Sequence, residues 1–313
     1  MTIPLLVLVD LAPAHAAHIE SAGFLLHHAP TAAERARFLA SPNDQIRAVL
    51  TNGSTGLTAE EITRLPQLEI ICAQGAGYEK IDVTAARARG VVVTHGPGTN
   101  GSSVADHAMT LLMSIARGIP QADAAVRRGE WACSRQPRPM ISGKRLGILG
   151  LGTIGAQIAR RGASGFDMPI AYHNRRPRDG SPYLYHPTPA ALADWCDFLV
   201  IATPGGAGTF HLVDGPVLEA LGPNGFLINI ARGSVVDTAV LIEALQNRWI
   251  AGAALDVVEG EPEIPAELTG LSNVILTPHI AGRSPEAVMA TVQLVCDNLC
   301  AHFSGHPVKT PVP

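Results

Sequence analysis

Apolar runs of strand length alternate with amphipathic stretches along almost the whole chain. Because strands that are separated by helical segments belong to βαβ units, this pattern predicts an α/β fold with parallel sheets that are covered by helices. Runs that are apolar throughout are typical of strands buried on both faces. The predicted strands are Leu5–Val9, Ala48–Leu50, Glu69–Cys72, Val91–Thr94, Arg145–Leu149, Pro169–Tyr172, Phe198–Ala202, Gly225–Asn229, Ala251–Leu255 and Val274–Leu276.

A glycine- and proline-rich break, His95–Thr99, separates the first four predicted strands from the others. It is followed by Ser102–Arg117, a predicted long apolar helix whose opening serines suit an N-cap. The last helical stretch, Pro285–Phe303, is long enough to return to the first set of strands. We therefore expect two doubly wound parallel-sheet domains with a cleft between them. The domains would be residues 1–99 plus 286–313, and residues 100–285.

Composition and charge narrow the classes of function. The chain has 313 residues, of which 47% are hydrophobic, so it can bury two cores and does not have the composition of a disordered protein. Its formal net charge of -4 gives no broad basic surface, which argues against a nucleic-acid partner. The first apolar run has no basic residue ahead of it, so we predict a strand there and not a signal peptide. No stretch approaches the length of a membrane span.

The five cysteines are scattered and odd in number, which argues against a secreted disulfide scaffold and favours the cytoplasm. Cys296 and Cys300 lie one helical turn apart, but in an apolar pattern that favours core packing over a metal site. His302 and His306 have HxxxH spacing, but the glycine and proline beside them indicate a helix end, where the two rings would not share a face. We therefore expect no bound metal.

The strongest local motif is Gly150-x-Gly152-x-x-Gly155, which follows a predicted strand and leads directly into an amphipathic helix. Gly150 allows a tight turn, Gly152 lets a pyrophosphate approach the backbone, and Gly155 lets the helix pack close to the strand. Free N–H groups and the positive dipole at the helix start, which includes Thr153 and Ile154, would hold the phosphates. An ordinary glycine turn is the alternative, but the strand and helix on either side favour a dinucleotide site.

The end of the next strand indicates which dinucleotide binds. Sites for NAD usually have Asp or Glu about 20 residues after the glycine motif, where the acid bonds the ribose 2′-hydroxyl. Asn174 stands there instead, followed by Arg175 and Arg176. An acid would repel a 2′-phosphate, whereas guanidinium groups pair with it, so we predict NADP(H) in preference to NAD(H). A solvated basic turn is the alternative.

Three further motifs each follow or close a predicted strand, so they would meet at one edge of the sheet. They are Asn229–Asp237 with Arg232, Gly252–Pro262 with Glu261, and Thr277–Gly282 with His279. A keto-acid reductase needs an arginine that pairs with a carboxylate, a histidine that protonates a carbonyl oxygen, and an acid that orients the histidine. Taken singly, these residues have ordinary explanations as a surface arginine, a loop acid and a core histidine. Together, beside a dinucleotide motif, they predict a catalytic site.

With these motifs the chain resembles the D-isomer-specific 2-hydroxyacid dehydrogenase family. The resemblance extends from Pro66 to Val312, and its most similar subgroups are the glyoxylate/hydroxypyruvate and hydroxyphenylpyruvate reductases. Further matching stretches are Gly75–Asp82, Val104–Ala108, Val126–Trp131 and Leu221–Arg232. The resemblance implies a Rossmann cofactor domain, a flavodoxin-like substrate domain, and an enzyme that reduces a small 2-keto acid to the D-2-hydroxy acid.

The resemblance also implies a role for particular residues. Arg232 would bind the substrate, Glu261 would partner the histidine, and His279 would be the acid/base. The backbone N–H groups of Ala76 and Gly77 would bind the substrate carboxylate, since adjacent unpaired amides form an anion nest. The remaining cofactor contacts are Thr203 and Pro204 on the adenine side, Asp256 at the nicotinamide carboxamide, and Ile230, Ala231 and Gly282.

Partner, substrate and class of function are less closely defined. The family usually forms dimers, and the helix Val104–Arg117 with the polar arm to Met140 is the predicted partner surface. A non-catalytic, NAD(H)-sensing regulator on the same fold is one alternative, and a turnover assay separates it from an enzyme. A reductase of the same family that acts on 2-ketogluconate or a phenylpyruvate is the other.

Arg283 stands where the family often has a small residue, and we expect it to be solvated.

Overall fold

The structure is a computed structural model that describes residues 2–40 and 43–313. Its strands are β1 (Ile3–Val7), β2 (Phe24–His28), β3 (Ala48–Thr51), β4 (Ile70–Ala73), β5 (Val92–Thr94), β6 (Leu146–Leu149), β7 (Ile170–His173), β8 (Leu184–Tyr185), β9 (Phe198–Ile201), β10 (Phe226–Asn229), β11 (Gly252–Leu255) and β12 (Val274–Leu276). Its helices are α1 (Pro13–Ser21), α2 (Ala32–Ala40), α3 (Ala59–Thr63), α4 (Val83–Ala88), α5 (Gly101–Arg117), α6 (Ile119–Arg127), α7 (Thr153–Phe166), α8 (Pro189–Trp195), α9 (Gly215–Leu221), α10 (Thr238–Gln246), α11 (Ala266–Thr269) and α12 (Pro285–Phe303).

The chain divides into two compact units. The first unit runs up to Asn100 and resumes with Arg283–Pro313, and the second is the continuous stretch Gly101–Gly282. The first unit therefore carries β1 to β5 with α1 to α4 and α12, and the second carries β6 to β12 with α5 to α11.

The first unit is built on one parallel sheet in the order β2-β1-β3-β4-β5. This is the strand order of flavodoxin-like folds. Alternate residues of a strand point to opposite faces, so Leu5 of β1 packs towards Ile19 of α1 and Leu299 of α12. Its neighbour Leu6 packs in the other cluster, with Ile62 of α3. Both faces of the sheet are thus buried, which explains the uniformly apolar strands.

The second unit is also built on one parallel sheet, in the order β12-β11-β10-β9-β6-β7-β8. Counted from β6, this is the Rossmann order with β12 added at one edge. The order reverses between β6 and β9, and ligands of such sheets bind outside the carboxyl ends of the strands at this point. The sheet order therefore predicts a ligand site at the loops after β6, β9 and β10.

The predicted α/β fold with two parallel sheets is confirmed. Each predicted strand lies within about two residues of an observed one. Two edge strands, β2 and β8, were not predicted: β2 ends in two histidines and β8 has two residues, so neither has a long apolar run. The predicted N-cap of α5 is wrong. The helix begins at Gly101, and the Oγ of Ser103, inside its first turn, donates to the carbonyl of Ala281 over 2.6 Å.

Across the described part of the chain, every helix is too short or too polar to cross a bilayer.

Candidate active site

The glycine motif forms a tight loop between β6 and α7. Gly150 has a φ of 104°, and a Cβ there would lie 2.7 Å from the backbone nitrogen of Thr203. A Cβ at Gly155 would overlap the carbonyl oxygen of Gly150, so this glycine is required for the helix to pack against the loop. A Cβ at Gly152 would meet nothing within 4 Å. The open space beside Gly152 is the place where a ligand can reach the backbone.

The start of α7 has the properties of a phosphate site. Gly152 is the N-cap residue and supplies no side-chain cap, and Thr153 beside it is exposed. The first N–H groups of a helix have no partner within the helix, so they and the helix dipole are available to an anion. Ile154 is half-buried in the same turn. The residues present therefore fit the pyrophosphate of a dinucleotide.

The turn after β7 supports the glycine loop. The Oδ1 of Asn174 accepts a hydrogen bond from the N–H of Leu151 over 2.7 Å, and Arg178 Nη1 donates to the carbonyl of Leu151 over 3.2 Å. Arg175 and Arg176 lie between these two residues, and both are exposed. Sequence reasoning placed Asn174 at the ribose, but it did not foresee this support of the loop or the part of Arg178 in it.

The segment after β9 lies beside the glycine loop. Thr203 is half-buried next to Gly150, as the close approach of its nitrogen shows, and Pro204 is exposed. On the next strand, Ile230 and Ala231 are buried directly after β10, and the N–H of Ala231 donates to Asn229 Oδ1 over 3.0 Å. All four predicted cofactor contacts therefore lie at the carboxyl edge of this sheet, around the point where the strand order reverses.

His279 and Glu261 form a close pair at the same edge. His279 Nδ1 lies 2.6 Å from Glu261 Oε1, and the two side chains are 38% and 34% exposed. Within the described residues, the other ring nitrogen of His279, Nε2, has no hydrogen-bond partner. His279 has a φ of 53°, in the left-handed region that costs a non-glycine residue about 1 kcal/mol or more. Backbone of this kind persists only where neighbouring groups hold it.

Asp256 holds the His279 loop. Its side chain, 1% exposed, accepts hydrogen bonds from Thr277 Oγ1 over 2.6 Å and from the N–H groups of Ile280 and Ala281 over 2.9 and 2.8 Å. His107 Nε2 lies 3.5 Å from the same carboxylate. Burial raises the pKa of Asp256, but these hydrogen bonds, led by His107 and Thr277, outweigh burial and lower it to about 2. Asp256 is therefore a carboxylate with both oxygens engaged by the protein.

Glu261 is held by its own turn as well as by His279. Its Oε2 accepts a hydrogen bond from the N–H of Val258 over 3.4 Å. Burial raises the pKa of Glu261, but the hydrogen bond and charge of His279, the Val258 N–H and the positive charge of Arg232 together lower it. Glu261 is thus kept as a carboxylate, with one oxygen directed at the His279 ring and the other at its own turn.

Arg232 comes directly after β10 and is half-buried. Asn229 Nδ2 donates to the carbonyl of Arg232 over 3.0 Å, which fixes the backbone there. A Cβ at Gly205 would lie 2.8 Å from Arg232 Cγ, so the arginine side chain passes over the glycine that follows β9. The structure thus brings the three predicted catalytic residues together at one sheet edge, on the loops after β10, β11 and β12.

The Gly75–Gly77 turn belongs to the first unit, where it follows β4. Gly75 has a φ of 103°, and its carbonyl accepts a hydrogen bond from the N–H of Gly96 over 2.6 Å. Ala76 is exposed, and its carbonyl lies 3.0 Å from His95 Nδ1. Gly282, the last residue of the second unit, is half-buried, and Arg283 after it is exposed.

The sheet order, the glycine loop and the three side chains define the second unit as that of a nicotinamide-dependent oxidoreductase. The family model for D-isomer specific 2-hydroxyacid dehydrogenase, NAD binding domain, matches residues 109–281, more than half of the chain. The chain belongs to the D-isomer-specific 2-hydroxyacid dehydrogenase family, as the motifs predicted, and is an NAD(P)-dependent 2-keto acid reductase.

Relatives with different substrates in their names are equally similar. Hydroxyphenylpyruvate reductase of Plectranthus scutellarioides is 43% identical over 276 residues, which cover 88% of each chain. Glyoxylate/hydroxypyruvate reductase A of Arabidopsis thaliana is also 43% identical, over 283 residues and 90% of each chain. Among solved structures, NADPH-dependent glyoxylate/hydroxypyruvate reductase of Sinorhizobium meliloti in complex with NADP and malonate is 38% identical, with a TM-score of 0.88 over 100% of this chain and 97% of the other.

Proposed function

We propose that the protein is an NADPH-preferring reductase that forms a D-2-hydroxy acid from a small 2-keto acid of the glyoxylate or hydroxypyruvate type. The observation that carries this proposal is the pair His279–Glu261 beside Arg232: one imidazole nitrogen is held by a carboxylate, and the other has no partner among the residues that the structure describes. A proton donor of this kind needs one nitrogen fixed and one available to the substrate.

Each side chain has one task in the reaction. The Arg232 guanidinium pairs with the substrate carboxylate and so orients the adjacent carbonyl. Glu261 orients the His279 ring, and His279 Nε2 donates a proton to the carbonyl oxygen. A reduced nicotinamide dinucleotide held by the glycine loop and the start of α7 would supply the hydride for C2 of the substrate. Asp256 supports the His279 loop through its hydrogen bonds, and its contact with the nicotinamide carboxamide stays a prediction.

The substrate assignment is tested with a panel of glyoxylate, hydroxypyruvate, phenylpyruvate and 2-ketogluconate, each with NADPH and with NADH. We expect the highest kcat/KM for glyoxylate or hydroxypyruvate with NADPH, and a D product. A higher kcat/KM for phenylpyruvate or 2-ketogluconate would replace the proposed substrate class. No turnover of any member would refute the proposed substrate class.

The cofactor preference is assigned to Arg175 and Arg176. Both guanidinium groups are exposed on the turn after β7, where Asn174 stands in place of an acid. For the double variant Arg175→Ala/Arg176→Ala we expect the ratio of kcat/KM with NADPH to that with NADH to fall at least about tenfold, since charge-assisted bonds to the 2′-phosphate are lost. Arg160→Ala, an exposed arginine of α7, is the matched control and keeps the ratio. A wild-type preference for NADH would refute the assignment.

A homodimer is part of the same proposal. The helix α6 exposes Ile119 and Val126, and the arm that follows exposes Trp131 and Met140, at 55%, 44%, 65% and 64%. Large apolar side chains that are exposed together favour a protein partner. Light scattering on the purified protein tests this, with a dimer expected for the wild type and a monomer for Trp131→Glu/Met140→Glu. A location in the cytoplasm stays a prediction from the cysteine pattern.

The Gly75–Gly77 turn stays a predicted anion site. Its support is local: the turn is fixed by the bond to Gly96, and Ala76 is exposed.

A further inference from the structure

A second histidine with two carboxylates lies outside the three proposed catalytic side chains. His211 follows the exposed Phe210, and its Nε2 lies 2.9 Å from Glu259 Oε1. Its Nδ1 lies 3.4 Å from Asp237 Oδ2. The three side chains are each between 27% and 31% exposed, and His211 has a φ of 49°. A histidine held in the left-handed region between two carboxylates is a fixed element of structure, and we refer to it with Asp237 and Glu259 as the His211 clamp.

The His211 clamp is connected to the catalytic acid–base pair through one short turn. Glu259 lies two residues before Glu261, and the turn closes with the N–H of Glu261 bonded to the carbonyl of Val258 over 3.3 Å. The second oxygen of Glu259 accepts a hydrogen bond from the N–H of Thr238, the first residue of α10, over 3.3 Å. The direction of the Glu261 carboxylate therefore depends on a turn whose middle is held from outside by His211 and α10.

The clamp is also connected to Arg232. The segment from His211 to Val213 runs beside the residues that follow Arg232: the N–H of His211 bonds to the carbonyl of Ser234 over 2.9 Å, and the N–H of Val213 to that of Val235 over 3.0 Å. Asp237 of the clamp is the N-cap of α10, with its Oδ1 bonded to the N–H of Val240 over 3.2 Å. The strand end that carries Arg232 is thus fixed to the same histidine as the turn that carries Glu261.

The segment that follows Arg232 packs closely against the turn that carries Glu261. A Cβ at Gly233 would overlap the backbone of Val258 and Glu259, so the residue after Arg232 lies directly against the turn that carries Glu261. We therefore expect a movement of Glu259 to be transmitted to Arg232 and Glu261 through this contact. A shift of about 1 Å in such a constellation costs about a hundredfold in rate.

The geometry points to His211 as a positioning residue. Through its contacts with Glu259 and Asp237, it keeps the Glu261 carboxylate directed at His279 and keeps Arg232 in place beside that pair. This inference rests on the proposed function, in which His279 is the proton donor. His211 does not touch the substrate in this role, because both of its ring nitrogens face protein carboxylates. Its effect is transmitted through the turn and the strand end.

The test compares full-length wild type, His211→Ala, His211→Gln and Glu259→Gln. For each, kcat and KM with hydroxypyruvate are measured from pH 5 to 10, together with the affinity for NADPH and the melting temperature. For His211→Ala we expect kcat to fall at least about tenfold while NADPH affinity stays within about twofold, since the clamp contacts no part of the glycine loop. His211→Gln restores part of kcat, because its amide nitrogen can donate to Glu259.

The pH profile gives a readout that a merely structural residue would not change. The pKa of Glu261 is lowered by its hydrogen bond to His279 and by the charge of Arg232 against the effect of burial, so it rises towards its ordinary value once Glu261 is less well directed, and the acid limb of the kcat profile moves to higher pH in His211→Ala. The matched control is His302→Gln, a histidine 3.5 Å from Glu69 in the first unit, which leaves kcat and the profile unchanged.

Two outcomes overturn the inference. One is a His211→Ala protein with wild-type kcat and profile, even if it melts at a lower temperature. The other applies if His211→Ala does not fold: wild-type kinetics in both His211→Gln and Glu259→Gln then refute the role. His279→Gln, assayed in parallel, separates this inference from the proposed function. Normal turnover in His279→Gln refutes the proposed function itself, whereas an inactive His279→Gln with an unaffected His211→Ala refutes only the clamp.

Discussion

Two histidine–glutamate pairs share one turn of the second unit and differ in how many ring nitrogens the protein engages. Glu261 holds Nδ1 of His279 at 2.6 Å, and Nε2 of that ring has no partner in the described part of the chain. Glu259 lies 2.9 Å from Nε2 of His211, whose Nδ1 faces Asp237. A histidine can transfer a proton to a ligand only through a nitrogen that the protein leaves available. A histidine–glutamate pair is therefore not enough to define a proton donor, because the second ring nitrogen must also be available.

The two pairs also differ in what supports the histidine backbone. Both His279 and His211 adopt left-handed backbone, at φ values of 53° and 49°. A buried carboxylate, Asp256, bonds to two N–H groups directly after His279. At His211 the support is a run of backbone bonds to the segment Ser234–Asp237. The His279 loop is thus held by an ionised side chain in addition to its main-chain bonds, whereas the backbone at His211 is held by main-chain pairing.

The largest difference is expected when asparagine replaces each histidine. Asparagine tolerates left-handed backbone, so the substitution removes the imidazole with little added strain. We expect His279→Asn to lower kcat by about a thousandfold, since general acid catalysis contributes about 10² to 10⁴. His211→Asn should lower it by about tenfold. Steady-state kinetics with hydroxypyruvate measures both, and equal losses would abolish the distinction between donor and clamp.

Exchange of each glutamate for glutamine is expected to give the next largest difference. Glu261→Gln keeps a hydrogen-bond acceptor for the His279 ring but removes the negative charge beside the proton donor, so we expect kcat to fall by about thirtyfold. Glu259→Gln should cost only a few-fold, because its charge lies beside a histidine that transfers no proton. Steady-state kinetics with hydroxypyruvate measures both losses. A Glu261→Gln protein with wild-type kcat would refute the proposed role of Glu261.

Gly233→Ala tests the contact that the two pairs share. The added Cβ would push against Val258 and Glu259, and overpacking of this kind lowers the free energy of unfolding by about 1 to 3 kcal/mol. Urea denaturation measures that free energy, and kcat should fall in the same variant. The control is Gly165→Ala in α7, where a Cβ meets nothing within 4 Å and where alanine should stabilise the helix by about 0.5 to 1 kcal/mol. A Gly233→Ala protein as stable as the wild type would show that the turn can move.

The last prediction concerns Asp256 and the stability of the protein in acid. Its pKa is lowered from 3.8 to about 2, so the folded state binds its proton less tightly than the unfolded state. This carboxylate therefore contributes about 2 kcal/mol above pH 4, and the contribution is lost as the pH falls from about 4 through 2. Urea denaturation between pH 7 and 2 measures it, with Asp44→Asn as an exposed control. If Asp256→Asn loses as much free energy of unfolding in acid as the wild type, another group causes that loss.

Strands that are buried on both faces were predictable because every residue in them is apolar, as in Phe198–Ile201 and Leu146–Leu149. The edge strand β2 was missed because its carboxyl end is two histidines. The glycine loop and the three proposed catalytic residues were predictable because their chemistry restricts the residue type at a strand end.

The supporting residues were not predictable in the same way. His211 and Glu259 are 48 positions apart, and nothing in the sequence around either one indicates the other. His107 lies in a helix with a continuous apolar face, and its place beside Asp256 follows only from the packing of α5 on the sheet. The sequence shows which groups can do chemistry, but not which backbone N–H groups and distant side chains hold them.

The second unit is one uninterrupted stretch of chain, Gly101–Gly282, and it encodes the glycine loop and all three proposed reaction side chains. The Gly75–Gly77 turn is encoded outside it. Recombination between relatives with crossovers at Asn100 and Gly282 would therefore transfer the reaction chemistry as an intact cassette. Sequence change in the flanking segments would then leave that cassette intact.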